Sequence, residues 1–390
     1  MSNRARLVLV VAVAACGGDP STPKDAAPTD DFDRSAMLAH LATNVFTPWH
    51  AEFASAAAAL PPAIAAHCDA LDAGQGATTV DAMRTAFARA IDAWQRPEAV
   101  LVGPAAMDMK TLRGLVYGWP NLSACEIDRD VASRWADPSS YDVTREFVST
   151  RSLAAIEFLL YPPTDNHSCL GPPAGWTELG ANLPRARCRL AHVIAVDVAA
   201  QGATLADAWT ASYADELANA GKGSSIPSAQ LGINLVSDGI FFVDKMVKDM
   251  KLGEAAGIAV NVCDAVGAPC DREVELRFSD RSSFAIRANL EATRTVFTGE
   301  VPGGATGPGF DDFLIAVGHS DVAQRMTAAL DDAIAKANAL PDSFLTALTT
   351  RYSDVAALHA ATKLFTDDLK SQFLTLLSLE IPDDVAADND

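Results

Sequence analysis

Tyr352-Ser353-Asp354-Val355-Ala356-Ala357-Leu358-His359-Ala360-Ala361-Thr362-Lys363-Leu364-Phe365-Thr366-Asp367-Asp368-Leu369-Lys370-Ser371-Gln372-Phe373-Leu374-Thr375-Leu376 decides the fold class. Val355, Leu358, Thr362, Phe365, Leu369, Phe373 and Leu376 recur there at steps of 3, 4, 3, 4, 4 and 3. That spacing aligns them on one side of a helix and makes the seam of a bundle. The same period runs through most of the chain. Ser35–Leu60 is apolar and alanine-rich, and Pro61-Pro62 is expected to stop it. Thr78-Thr79-Val80-Asp81 resembles a capping box before Met83, Phe87, Ala90, Ile91 and Trp94. Helices are further expected over Val143–Leu160, Trp176–Ala200, Leu205–Ala220, Gln230–Leu252 with Gly253 as C-cap, Ser283–Thr298 and Asp321–Ala339. Strand signals are scarce, the best being the short run Ile258–Val262.

Composition agrees. The 390 residues are 49% hydrophobic but only 7% aromatic, and alanine supplies much of the apolar total. Such a chain can bury a large core and favours close-packed helices over a β-sandwich. Lys and Arg number 30 against 50 Asp and Glu, a formal net charge of −20. Nucleic acid is therefore an unsuitable partner, since its binding depends on neutralising phosphates. About four long helices fall in each half, around a Gly221–Pro227 joint, so the expected fold is all-α with two bundles side by side. The corresponding division is 35–222 for the N-terminal bundle and 223–386 for the C-terminal one.

The first residues read as an address. Arg4 and Arg6 precede the apolar run Leu7–Ala15, which is too short to span a bilayer as a mature helix. Val13-Ala14-Ala15-Cys16 resembles a bacterial lipobox, so 1–15 is expected to be a signal peptide and Cys16 the lipidated residue. Residues 16–34, rich in Gly, Pro, Ser and Asp, then serve as a tether. This predicts a Gram-negative envelope lipoprotein, held to the membrane through Cys16. Gly17 after the cysteine points to the outer membrane. Six further cysteines allow fifteen pairings. Local spacing suggests Cys263–Cys270 and Cys169–Cys188, which leaves Cys68–Cys125.

Several enzyme signatures are absent. There is no H-E-x-x-H helix, no phosphate-binding G-x-x-x-x-G-K-[ST] loop and no G-x-S-x-G elbow. Three clusters remain. Glu157 lies in the wholly apolar run Leu153–Leu160, where a carboxylate must be paired, hydrogen-bonded or protonated. Its candidate ion-pair partners are Arg113, Arg151, Arg277 and Arg281. The segment Arg277-Phe278-Ser279-Asp280-Arg281-Ser282-Ser283 combines helix-capping residues with two arginines suited to anions or to Glu157. Arg113–Pro120 supplies Tyr117 and Trp119, a plausible cleft wall.

Together these stretches resemble the imelysin family. The blocks are Ala93-Trp94-Gln95 with Gly103-Pro104, Tyr117-Gly118-Trp119-Pro120, Arg151–Tyr161, Asp249–Gly253, and Phe278–Ser282 with Ile286–Leu290. The likeness runs from about Ala36 to Leu379. It implies two tandem four-helix bundles and an exported protein tied to iron uptake. A ligand cleft between the bundles is expected near Glu157, the one site residue the resemblance carries over, with Arg113, Tyr117, Trp119, Arg151, Arg277, Ser279, Asp280 and Arg281 read from their own clusters as its surroundings. Iron or another metal ion is the implied cofactor, with Glu157 as a ligand, and iron-uptake or outer-membrane proteins are the implied partners. The family's G-x-H-x-x-E motif is degenerate here: Glu157 stands, but Ser152 replaces the glycine and Ala154 the histidine. A His/Glu pair one helical turn apart can share a metal, and Ala154 offers no ligand. The leading expectation is a non-enzymatic ligand- or metal-binding lipoprotein. The alternatives are an imelysin-type peptidase and a structural, partner-binding surface lipoprotein.

Overall fold

The computed structural model describes residues 30–139, 141–162, 164–263 and 267–382, the Met109 side chain excepted. The expected signal peptide, Cys16 and most of the expected tether lie outside these residues. No helix among the described residues is long and apolar enough to cross a membrane.

The chain is helical, and its only β pairing among the described residues is an isolated bridge between Glu300 and Thr306. The Ile258–Val262 run forms no strand. Helix α1 covers residues 34–72, as Arg34–His40, the π-helical Leu41–Phe46 and Thr47–Asp72. Pro61 and Pro62 do not stop it. Proline costs a helix one hydrogen bond and a steric clash, and here Leu60, Ile64 and Cys68 are buried on both sides of the pair, so packing outweighs that cost. Helix α2 is Val80–Ala99, α3 is Ala124–Ala136 and α4 is Leu153–Leu160. The expected start of α4 at Val143 is corrected: only a 3₁₀ turn, Val143–Arg145, forms before Ser152. Helix α5 runs over 183–218 without the expected break near 201–204. Gly202 is a contact there rather than a stop, because a Cβ would lie 3.1 Å from the Phe53 ring.

Helix α6 covers 229–254, changing after Phe241 to a π-helical tract, Val243–Glu254. Gly253 lies inside that tract and is not a C-cap. Helix α7 is Ser282–Thr298, ended by Gly299 at φ 67° as a left-handed cap. Helix α8 is Ser320–Ala339, and α9 covers 352–376. The seam is buried from Val355 to Phe373, with Leu376 half-buried.

The long α1 packs against α2 and α5, and α4 packs against α5. In the second half, α7, α8, α9 and the π-tract of α6 pack together, and α7 meets α2 across the middle. The start of the folded region also reaches the second half. The Phe32 ring stacks on Phe313 at 4.5 Å, Arg34 Nε donates to Gln230 Oε1 at 2.8 Å, and the His40 Nε2–Gly299 carbonyl contact is 2.8 Å.

Two disulfide pairings are corrected. Cys68 bonds Cys188 and Cys125 bonds Cys169, while Cys263–Cys270 is as expected. Cys68, near the end of α1, and Cys188, near the start of α5, lie side by side because those helices pack together. The loop before α5 folds back over α3, where Ser168 N donates to Asp128 Oδ2 at 2.6 Å, and this brings Cys169 to Cys125. Spacing along the chain favoured the neighbour in sequence, whereas helix packing selects the neighbour in space.

Candidate functional site

Ser152 opens α4 in extended conformation and its hydroxyl accepts from Gly118 N at 3.0 Å. Every residue of α4 is buried, and Glu157 is 4% exposed. Opposite it, the segment before α7 turns sharply, with Leu276 and Asp280 at φ 49° and 57°. That turn aims its donors at Glu157. Oε1 accepts from Phe278 N at 3.1 Å, Ser279 N at 2.8 Å and Ser279 Oγ at 2.7 Å. Among the described residues none donates to Oε2.

None of the four arginines expected to pair with Glu157 does so. Arg113 pairs with Glu98, Arg151 with Asp197 and Arg281 with Asp92. Arg277 lies over the Phe278 ring at 4.6 Å. One oxygen, Oε1, is satisfied by a turn of backbone and one hydroxyl, and no guanidinium reaches the carboxylate. Of the other expected site residues, Ser279 touches Glu157 and Asp280 is exposed. Tyr117 and Trp119 belong to an adjoining network.

That network is buried and charged. Tyr117 Oη donates to Glu275 Oε1 at 2.8 Å. Lys251 Nζ sits 3.0 Å from Glu275 Oε2, and donates to Gln95 Oε1 at 2.9 Å and Asn289 Oδ1 at 2.7 Å. It also lies 5.6 Å from the Trp119 ring centroid, and the Trp119 carbonyl accepts from Arg113 at 2.8 Å. Glu98 completes the set, paired with Arg113 and 3.8 Å from Lys251. Sequence reading missed Gln95, Glu98, Lys251, Glu275 and Asn289 as site residues. One signal was available: Asn289 is an amide among Ala285, Ile286 and Ala292 on one side of its helix.

Glu157, Glu98 and Glu275 thus stand against Arg113 and Lys251. Burial pushes the Glu157 carboxyl up to about 7, the three donors pull it partly back, and Glu275 pushes it up again. Burial raises Glu275 above the usual carboxylate range, with Lys251 opposing and Glu98 adding to the rise. Tyr117 is raised well above its ordinary value, first by burial and then by the carboxylates.

A group that ionises near pH 7 when folded and near 4.5 when unfolded favours the folded state most below pH 4.5. That advantage is lost between pH 4.5 and 7. Glu157→Gln keeps an acceptor for the turn and cannot ionise. We expect its stability relative to wild type to rise by about 3 kcal/mol between pH 4.5 and 8. Urea denaturation of both proteins at the two pH values measures this, and a flat difference would contradict it.

The donor set does not fit a resident metal. The bound face of Glu157 meets N–H and O–H donors, and Ala154 occupies the helical turn before it. Among the described residues no three His, Cys, Asp or Glu side chains group to hold a metal ion.

The family model for imelysin, Peptidase_M75, matches residues 46–371. The chain belongs to the imelysin family. Two crystal structures share its fold. An imelysin-like protein from Psychrobacter arcticum 273-4 has a TM-score of 0.60 at 19% identity, over 90% of this chain and 98% of that one. A protein described as an iron-regulated protein A precursor, from Parabacteroides distasonis ATCC 8503, has a TM-score of 0.66 at 17% identity, over 90% and 97%. No curated protein matches.

Proposed function

We propose that this imelysin-family chain is a non-enzymatic ligand-binding lipoprotein of the cell envelope. Its ligand site is at Glu157 in the cleft between the two halves, and it serves iron uptake. The observation that carries this reading is the half-used Glu157 carboxylate, with one oxygen held by three donors and, among the described residues, no donor on the other. A fixed acceptor of that kind, with three carboxylates near two cations, suits a ligand presenting a cation or a hydrogen-bond donor. Phe278 and Ser279 are only half-buried, so the carboxylate lies just beneath the surface. The amino-terminal lipobox supports export and anchoring. The Parabacteroides structure, by its description, supports the iron context.

The degenerate motif favours an iron-bearing organic ligand over a bare ion. Calorimetric titration of wild type and Glu157→Ala with Fe(II), Fe(III), Zn(II), haem and a ferric hydroxamate tests this. We expect haem or the hydroxamate to bind wild type and to lose at least tenfold in affinity in the variant. Bare ions should not distinguish the two proteins. Equal binding of every probe to both proteins would sink the assignment to Glu157.

A further inference from the structure

A groove of about 590 Å³ lies between α1 and α2. Its walls include Ala56, Ala59 and Ala86, and its charged groups are Glu52, Arg89, Asp92 and Arg96. These sort into pairs with one remainder. Arg96 takes Glu52, and Asp92 takes Arg281, with Arg281 Nε donating to Oδ1 at 2.9 Å. Arg89 is exposed and has no ion-pair or hydrogen-bond partner among the described residues. The lining itself therefore holds two guanidinium groups and two carboxylates, and because Arg281 neutralises Asp92 from outside it, Arg89 is the charge left over. The excess is cationic, in a chain whose formal net charge is −20.

Two features narrow the ligand. A guanidinium presents a fork that matches a carboxylate. Ala56, Ala59, Ala82 and Ala86 leave room for a narrow aliphatic body, with the Ser55 and Thr85 hydroxyls beside it. A cationic ligand would meet Arg89 head-on, and a neutral one would leave it unused. We propose that this groove is a second binding site, taking an amphipathic carboxylate with its head on Arg89 and its chain along the alanines. The site is independent of the ligand reading at Glu157.

Calorimetric titration of the folded, disulfide-intact protein with octanoate, octanol and octylammonium tests it. Octanoate should bind one saturable site, and the other two probes at least tenfold more weakly. Arg89→Gln should weaken octanoate at least tenfold and leave octanol unchanged. Ala59→Leu should fill the groove and abolish binding. Both residues are exposed, so the melting temperature should stay at the wild-type value. Glu157→Gln should leave octanoate binding unchanged, which separates this site from the first. Absence of saturable octanoate binding, equal affinity for the three probes, or insensitivity to either groove substitution would overturn the proposal.

Discussion

Lys251→Ala is expected to destabilise the protein by about 3–5 kcal/mol, the range found when one member of a buried ion pair is removed. Lys251 is 1% exposed, and its ammonium group has charged or hydrogen-bonding partners at Glu275, Gln95 and Asn289. Removing it strands the Glu275 carboxylate, which is also 1% exposed, in a medium that solvates charge poorly. The Tyr117 hydroxyl and the Gln95 amide would remain as donors to Glu275 Oε1. The cost is therefore that of the orphaned charge, not the net worth of the pair. This distinction gives a second arm. Lys251→Met combined with Glu275→Gln removes both charges and keeps much of the volume. It should recover more than half of the loss, because a neutral replacement of a buried pair is often close to neutral in stability. Urea denaturation of Lys251→Met, Glu275→Gln and the double variant measures the coupling. A Lys251→Ala loss below about 1 kcal/mol would mean that water reaches the cluster and screens it as it does a surface pair.

The placement of these residues shows what the sequence discloses and what it withholds. Helices appear in the sequence because each is a local pattern, and the Val355–Phe373 seam is buried as its period requires. Glu157 was visible because a lone carboxylate in an apolar run must be satisfied somewhere. Its partners were not visible. They come from a turn 121 and 122 residues away, and backbone N–H groups carry no side-chain signature. Arginines were the natural candidates, yet three of them had acidic partners closer in space. Pro61 and Pro62 misled for a related reason. A local rule predicts a break, and the tertiary contacts of α1 with α5 override it. The π-tract of α6 was equally hidden, although it carries Asp244, Lys248 and Lys251 into buried positions. Such i→i+5 winding is rare, and no composition announces it.

The pairing of Cys68 with Cys188 leads to the other large effect. Cys68→Ala with Cys188→Ala opens a loop whose ends are 120 residues apart. Cys125–Cys169, 44 residues apart, lies inside that loop and shortens it while intact. With about 76 residues effectively closed, the chain-entropy relation gives a loss of about 4.5 kcal/mol. The same relation gives about 2.4 kcal/mol for Cys263–Cys270, whose ends are 7 residues apart. Burial reinforces the difference, since Cys68 and Cys188 are 1% and 2% exposed and their sulfurs fill the α1–α5 contact. Denaturant melts of the two double-alanine proteins should therefore rank in that order, with the 68/188 variant losing nearly twice as much. If the short-loop variant lost as much or more, native-state packing around residues 257–273 would outweigh chain entropy. If neither lost more than about 1 kcal/mol, the unfolded chain would already hold the α1 and α5 segments together, and the bridge would constrain little that was free.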